Sequence, residues 1–362
     1  MARLLLTASL TILLSLVAHG APSPTPAPKP VPSPTPILDG LGEADLERAL
    51  TLLREHYVNP GLLKGTEIKR ATLAGLLERL DRGAILLPAR SKDAATPAPF
   101  YREILGGHIG YLRPGDLSKV QLEELDTTLR AFDGKKVDAI ILDLRGSVQT
   151  NDYVAAAGFA QRFVPKGKPL FALKGAAGKP AQDFTSDRAP LYPGLIVVLI
   201  DGETAGATEV LSAVLRLQDH AILVGEGTAG QAVDYSDLPL PSGNILRVAV
   251  AEAVLPEAPA RYPDGISPDL TVKLPVSVKR QVFAQSLTTS MAPFVYEDDR
   301  PHLNEAALLA GTNPEIEAAQ EAQQRRASGK PPPPALHDAV LQRGVDLVTS
   351  IEVYEKQTNP AP

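Results

Sequence analysis

A turn of small residues at the end of an apolar run is where this sequence concentrates its chemistry. Leu195 to Ile200 is apolar throughout, and Asp201-Gly202-Glu203-Thr204-Ala205-Gly206-Ala207-Thr208-Glu209 follows. A strand that turns through small residues into a helix offers free backbone N–H groups where the helix dipole favours negative charge. Acyl transfer exploits such a turn, with a nucleophile, a base within hydrogen-bond reach and donors aimed at the developing oxyanion. Here Gly206, at the centre of the turn, has no side chain to acylate. Ser147, in the loop after the apolar run 137–145, reads either as a displaced nucleophile or, preferably, as a hydroxyl that satisfies loop backbone. Thr208 reads as a helix-start or core hydroxyl. His108 and His220 lie far apart with no paired ligand spacing and read as surface or strand-end histidines. The six His and the carboxylates form no metal pattern, and no phosphate loop or dinucleotide fingerprint occurs, so neither a metal nor a cofactor is expected.

Elements must hold that turn in place. Val137 to Arg145, Leu195 to Ile200 and Ile222 to Val224 are apolar without alternation, as strands buried on both faces are. Helices are predicted over about 118–132, 154–164 and 205–218, and a further strand over 169–174. Strand–helix–strand order predicts parallel pairing with right-handed crossovers. Ile245 to Val254, after the turn Ser242-Gly243-Asn244, is predicted as a half-buried strand. Upstream, Leu46, Leu50, Leu53 and Tyr57 form a helical stripe, and a second helix is predicted from about Thr66 to Leu80, with Asn59-Pro60-Gly61 between them. Downstream, residues 337–355 carry another stripe.

Composition sets the class. The chain has 362 residues, 44% apolar and 22% charged, which suits a globular protein of one to three domains. Formal charge is −6, or −7 once Arg3 leaves with residues 1–20, so no basic stripe exists for nucleic acid. Cysteine is absent, so no disulfide or thiol nucleophile is available. Arg3, the apolar run Leu4 to Val17 and Ala18-His19-Gly20 read as a secretory signal; an uncleaved anchor is the alternative. The run is short of the ~20 residues that a spanning helix needs. An exported protein, periplasmic or extracellular, with no stable membrane span after cleavage is expected. Residues 21–36 alternate proline with small residues and form an extended tether.

The motifs resemble the C-terminal processing peptidases, or tail-specific proteases. In that family an apolar strand enters Gly-Ser/Thr-Ala-Ser-Ala-Ser-Glu, whose middle Ser is the nucleophile. A second segment, Gly-Glu-Lys-Thr-Phe-Gly-Lys, ends on the general-base Lys. Aligned on Gly202 to Glu209 and on Gly225-Glu226-Gly227-Thr228-Ala229-Gly230-Gln231, Gly206 stands at the nucleophile and Gln231 at the base. A glutamine amide cannot take a proton at neutral pH. Tyr235 stands where the family commonly has the Gln that orients the Lys. The family's Asp-Leu-Arg-x-Asn-x-Gly-Gly oxyanion loop reads Asp143-Leu144-Arg145-Gly146-Ser147-Val148-Gln149-Thr150, so the glycine pair is replaced. Gly107 to Leu112, Gly265-Ile266-Ser267-Pro268-Asp269, Glu55 to Pro60 and Asp338 to Arg343 are similar to further family segments. Only about 27 residues separate Asp81 from His108, too few for the PDZ module that many members carry.

The resemblance implies an α/β fold with a ClpP/crotonase-like core and a mostly parallel sheet, preceded by helices and followed by a helical tail. The expected division is signal 1–20, Pro-rich linker 21–40, helical region 41–100, protease-like core 101–275 and a helical, partly disordered tail 276–362. The preferred function is a pseudopeptidase that binds extended peptides or protein C-termini, with Gly146, Gln149, Thr150 and Ala207 around the binding site. An active serine-type endopeptidase with a relocated nucleophile and a purely structural envelope module are the alternatives. Backbone beside Gly206 is expected to stay open to a carboxylate or peptide carbonyl.

Overall fold

A computed structural model of the chain describes residues 38–89, 97–135, 137–175, 182–256, 262–295 and 336–358. The expected signal and nearly all of the Pro-rich linker lie outside these residues. The chain divides into two compact units, residues 1–72 and 73–362. In the first, α1 (Glu43–His56) is followed by a short 3-10 turn, Pro60–Leu63, and by the start of α2 (Gly65–Leu80), which crosses the boundary. Neither helix buries a residue.

In the second unit, β1 (Ala84–Leu87), β2 (Tyr101–Leu105) and β3 (Ile109–Arg113) precede α3 (Lys119–Gly134), β4 (Ala139–Asp143) and α4 (Tyr153–Ala160). Next come β5 (Pro169–Gly175), β6 (Gln182–Thr185), β7 (Leu195–Ile200), α5 (Ala207–Gln218) and β8 (Ile222–Gly225). Then β9 (Val233–Pro239), β10 (Ile245–Val254), β11 (Leu270–Thr271), α6 (Val276–Thr289) and α7 (Ala339–Thr358) complete the described elements.

Six strands form the main sheet in the order β11-β8-β7-β4-β3-β2, parallel except for β2. Its central strands alternate between two cores. Ile140, Leu142, Ile196, Val198 and Leu223 pack with α3, α4 and α5, while Ala139, Ile141, Val197, Leu199 and Val224 pack with α6 and α7. Burial on both faces is why these runs carry no polar alternation. The expected mostly parallel sheet is this one.

A second, antiparallel sheet of β1, β5, β6, β9 and β10 is not legible in the sequence. The ten residues of β10 exceed any neighbour; β9 covers one edge, and β1 and β5 divide the other. Along β10 nearly every residue is half-buried, on both of its faces. Residues 276–289 and 339–358, expected as a tail, are helices packed on the main sheet.

A buried charged network joins α7 to the sheet. Arg145 donates to both carboxylate oxygens of Asp143 (2.9 and 2.6 Å) and of Asp338 (3.0 and 2.9 Å). Tyr111 donates to Asp143 at 2.8 Å, and Asp338 accepts the Leu341 N–H at 3.0 Å, capping α7. Burial alone would raise the Asp143 carboxyl, but the charge and hydrogen bonds of Arg145 outweigh it and hold the group below its ordinary range.

Candidate functional site

The site lies beyond the C-terminal ends of β4 and β7, where open α/β sheets place their ligands. After β7 the chain makes a tight turn: Thr204 N–H donates to the Asp201 carbonyl (2.9 Å) and Asp201 N–H to the Thr204 hydroxyl (3.1 Å). Ala229 N–H donates to the Thr204 carbonyl at 2.9 Å, pinning segment 225–231 against the turn. Gly206 then caps α5 with φ 63° and ψ −130°. That backbone suits glycine, because an L side chain there crowds its own carbonyl.

The space around Gly206 is already taken. A Cβ at this position would lie 2.7 Å from the Thr150 carbonyl oxygen and 3.6 Å from Gln149 Cγ. Ala207 N–H donates to that same Thr150 oxygen at 2.9 Å, and Thr150 and Gly206 form a parallel bridge. Gly206 and Ala207 are buried. This corrects the expectation of open backbone at the α5 N-terminus. The Ala207 N–H is paired inside the fold. Neither Gln149 nor Thr150 takes positive φ.

Gln231 sits across the mouth of the turn. Its Oε1 accepts from Gln149 Nε2 at 2.5 Å, and its N–H donates to Glu209 Oε2 at 2.9 Å. Burial pushes the Glu209 carboxyl up, partly offset by hydrogen bonds from Gln231, Thr228 and Gly230. Gln149 thus touches Gln231 and borders Gly206. Tyr235, on β9, donates its hydroxyl to the Arg82 carbonyl at 2.8 Å, so that proton is not directed at Gln231. Gly146 lines the adjoining cleft, where a Cβ would meet Phe283 at 2.9 Å.

That cleft, of about 520 Å³, is lined among others by Gln149, Ala205, Gln231, Glu203, Arg280 and Phe283. Its floor is ionic. Lys279, 3% exposed, donates to the Arg145 carbonyl (2.9 Å), to Glu203 (2.7 Å) and to Asp201. Arg280 also donates to Glu203 at 2.7 Å. The Lys279 hydrogen bond and charge, with those of Arg280, hold the Glu203 carboxyl below its usual range despite partial burial. Sequence reasoning missed Lys279, Arg280 and Phe283, because no spacing links residue 203 to a helix some 75 positions later.

The remaining candidates are not assembled into a pair. Ser147 is buried and donates its hydroxyl to the Pro114 carbonyl at 2.8 Å. The Thr208 hydroxyl is buried with no hydrogen-bond partner among the described residues. His108 precedes β3 and His220 precedes β8, at the N-terminal ends of the parallel strands and away from Gly206. Among the described residues no group of three His, Asp or Glu is arranged to hold a metal ion.

The parallel sheet with its strand–turn–helix site defines an α/β protein of peptidase architecture. Residues 108–272 match Peptidase family S41 and form a domain of that family. The carboxyl-terminal-processing protease of Picosynechococcus sp. is 30% identical over 192 residues, covering 50% of this chain and 44% of that protein. Carboxy-terminal processing protease CtpA of Bacillus subtilis is 26% identical over 213 residues, covering 59% and 44%. The solved photosystem II D1 C-terminal processing protease aligns with a TM-score of 0.42 at 22% identity, over 51% of this chain and 50% of that one. The chain spans less than half the length of the curated relatives it matches.

Proposed function

We propose that this chain is an exported pseudopeptidase, an S41 domain that has lost acyl transfer and keeps a cleft for extended peptide segments or protein C-termini. The observation that carries this reading is the Thr150 carbonyl, which pairs with Ala207 N–H and fills the place of a side chain at residue 206. A peptidase needs a nucleophile, a base and a free oxyanion donor at this point; here a glycine, a glutamine amide and an occupied N–H stand in their places. The curated relatives are named as processing proteases, and a retained groove without turnover is the role their shared fold leaves open. The surfaces offered to a peptide are the amides of Gln149 and Gln231, the Arg280 guanidinium for a C-terminal carboxylate, and Phe283 for an apolar side chain.

The test is labelling with a fluorophosphonate, together with titration of a tail-peptide library. The expected outcome is no covalent labelling, no cleavage, and saturable binding that Arg280→Glu with Phe283→Ala abolishes. Labelling that disappears in Ser147→Ala would replace this reading with the relocated-nucleophile endopeptidase. A library without saturable binding would leave a structural module in the envelope.

A further inference from the structure

Lys279 is placed for bond formation as well as for ion pairing. It is buried on α6, and its Nζ donates to the Arg145 carbonyl at 2.9 Å, to Glu203 Oε2 at 2.7 Å and to Asp201 Oδ2. Asp201 is held rigidly from its own side. Its backbone pairs with Thr204 in both directions, and its Oδ1 accepts the Glu203 N–H at 2.9 Å. We propose that Lys279 and Asp201 join in an isopeptide bond, a covalent staple between α6 and the turn after β7.

Each group around Nζ has a part in that step. Glu203 is held ionised by the hydrogen bond from Lys279 and by Arg280. Its carboxylate takes the ammonium proton that faces it, which frees the Nζ lone pair to attack Asp201 Cγ. The Glu203 N–H meets the charge that builds on Oδ1. Glu203 then passes its proton to Oδ2, and the Nζ proton facing Oδ2 goes to the same oxygen directly. The Cγ–Oδ2 bond breaks and Oδ2 leaves as water. The last Nζ proton still faces the Arg145 carbonyl. An ammonium and a carboxylate thus become one amide and one water, with no oxidant and no second reactant.

The surroundings favour this product. Partners held in contact react with effective molarities on the order of 10⁵ M or more. A neutral amide also removes the desolvation cost of two buried charges. Asp201 is selected over Glu203 because its side chain is 14% exposed against 42%, and because Glu203 is also held by Arg280. The chain has no cysteine, so no disulfide can make such a link. The staple would join positions 78 apart and restrict the unfolded chain as a long-range cross-link does. It would also fix α6, which brings Arg280 and Phe283 to the cleft.

Mass spectrometry of the full-length chain, intact and after trypsin, tests the proposal. The expected intact mass is one water below the value that its sequence and termini set. Trypsin cuts after Arg188, Arg216, Lys273 and Arg280, so the staple yields a branched peptide joining 189–216 to 274–280, uncut after Lys279. Lys279→Arg keeps a cation, removes the amine nucleophile and returns unlinked peptides at full mass. Glu203→Gln keeps the N–H on Oδ1 and removes the relay; bond formation slows by roughly 100-fold or more, and the chain is recovered largely unlinked. Asp201-Gly202 has a second route to water loss, a cyclic imide within 189–216. The imide survives Lys279→Arg and leaves Lys279 cleavable. The wild-type peptide map decides even if a variant fails to fold. Unlinked wild-type peptides at full mass, an imide in place of the branched peptide, or a Glu203→Gln chain linked as fully as the wild type overturns the proposal.

Discussion

Restoring the dyad, Gly206→Ser with Gln231→Lys, is expected to destabilise the protein without giving a peptidase. A serine at residue 206 must hold φ 63°, which costs an L-residue about 1–2 kcal/mol. Its Cβ would also stand 2.7 Å from the Thr150 carbonyl, well inside van der Waals contact. That contact is relieved only if segment 149–151 retreats, which breaks the buried Ala207 N–H bond to Thr150 at about 1 kcal/mol. The combined cost is about 2–3 kcal/mol, a fall in melting temperature of roughly 4–12 °C for a unit of this size. Calorimetry of the wild type, Gly206→Ala and Gly206→Ser separates the terms. The alanine variant, which carries the same Cβ, falls nearly as far as the serine. Fluorophosphonate labelling of the double variant stays at background, because the oxyanion donor remains occupied or is displaced. A melting temperature within 1 °C of wild type, or efficient labelling and peptide cleavage, would refute the occupied-site reasoning.

Asp338→Ala leaves Arg145 buried against one carboxylate instead of two and uncaps α7; a loss of about 3–5 kcal/mol is expected, read as a lower thermal midpoint. Lys279→Met strips Asp201 and Glu203 of their shared cation. A lower melting temperature and weaker peptide binding are expected, and a variant with both unchanged would exclude Lys279 as the floor of the cleft. Burial pushes the Asp219 carboxyl up to about 7, and its Oδ2 has no hydrogen-bond partner among the described residues. The folded state therefore holds this proton more tightly than the unfolded chain, and the group costs stability as pH rises from about 4 to about 7. Asp219→Asn should raise the melting temperature at pH 8 and leave it unchanged at pH 4.

Much of the frame was legible in the residues. Leu195 to Ile200 and Ile245 to Val254 are strands with the bounds that their apolar runs and turn residues predict, and 139–143 and 222–225 follow within a residue or two. Uninterrupted apolar runs set a strand covered on both faces, and the glycine at 206 and the glutamine at 231 are by residue type neither nucleophile nor neutral-pH base. Tertiary structure decided the rest. The antiparallel sheet was hidden because β6 and β9 are polar, and because β10 gains β1 and β5 as partners only from chain far away in sequence. The tail became core for a related reason: Asp338 finds its partner Arg145, 193 positions earlier, only in the folded interior. The pairing at Gly206 belongs to the same class, because Thr150 and Ala207 are 57 residues apart and only tertiary folding places that carbonyl on that N–H. A linear pattern reports what each residue can bury or titrate; which distant group satisfies it depends on the chain's closure in three dimensions.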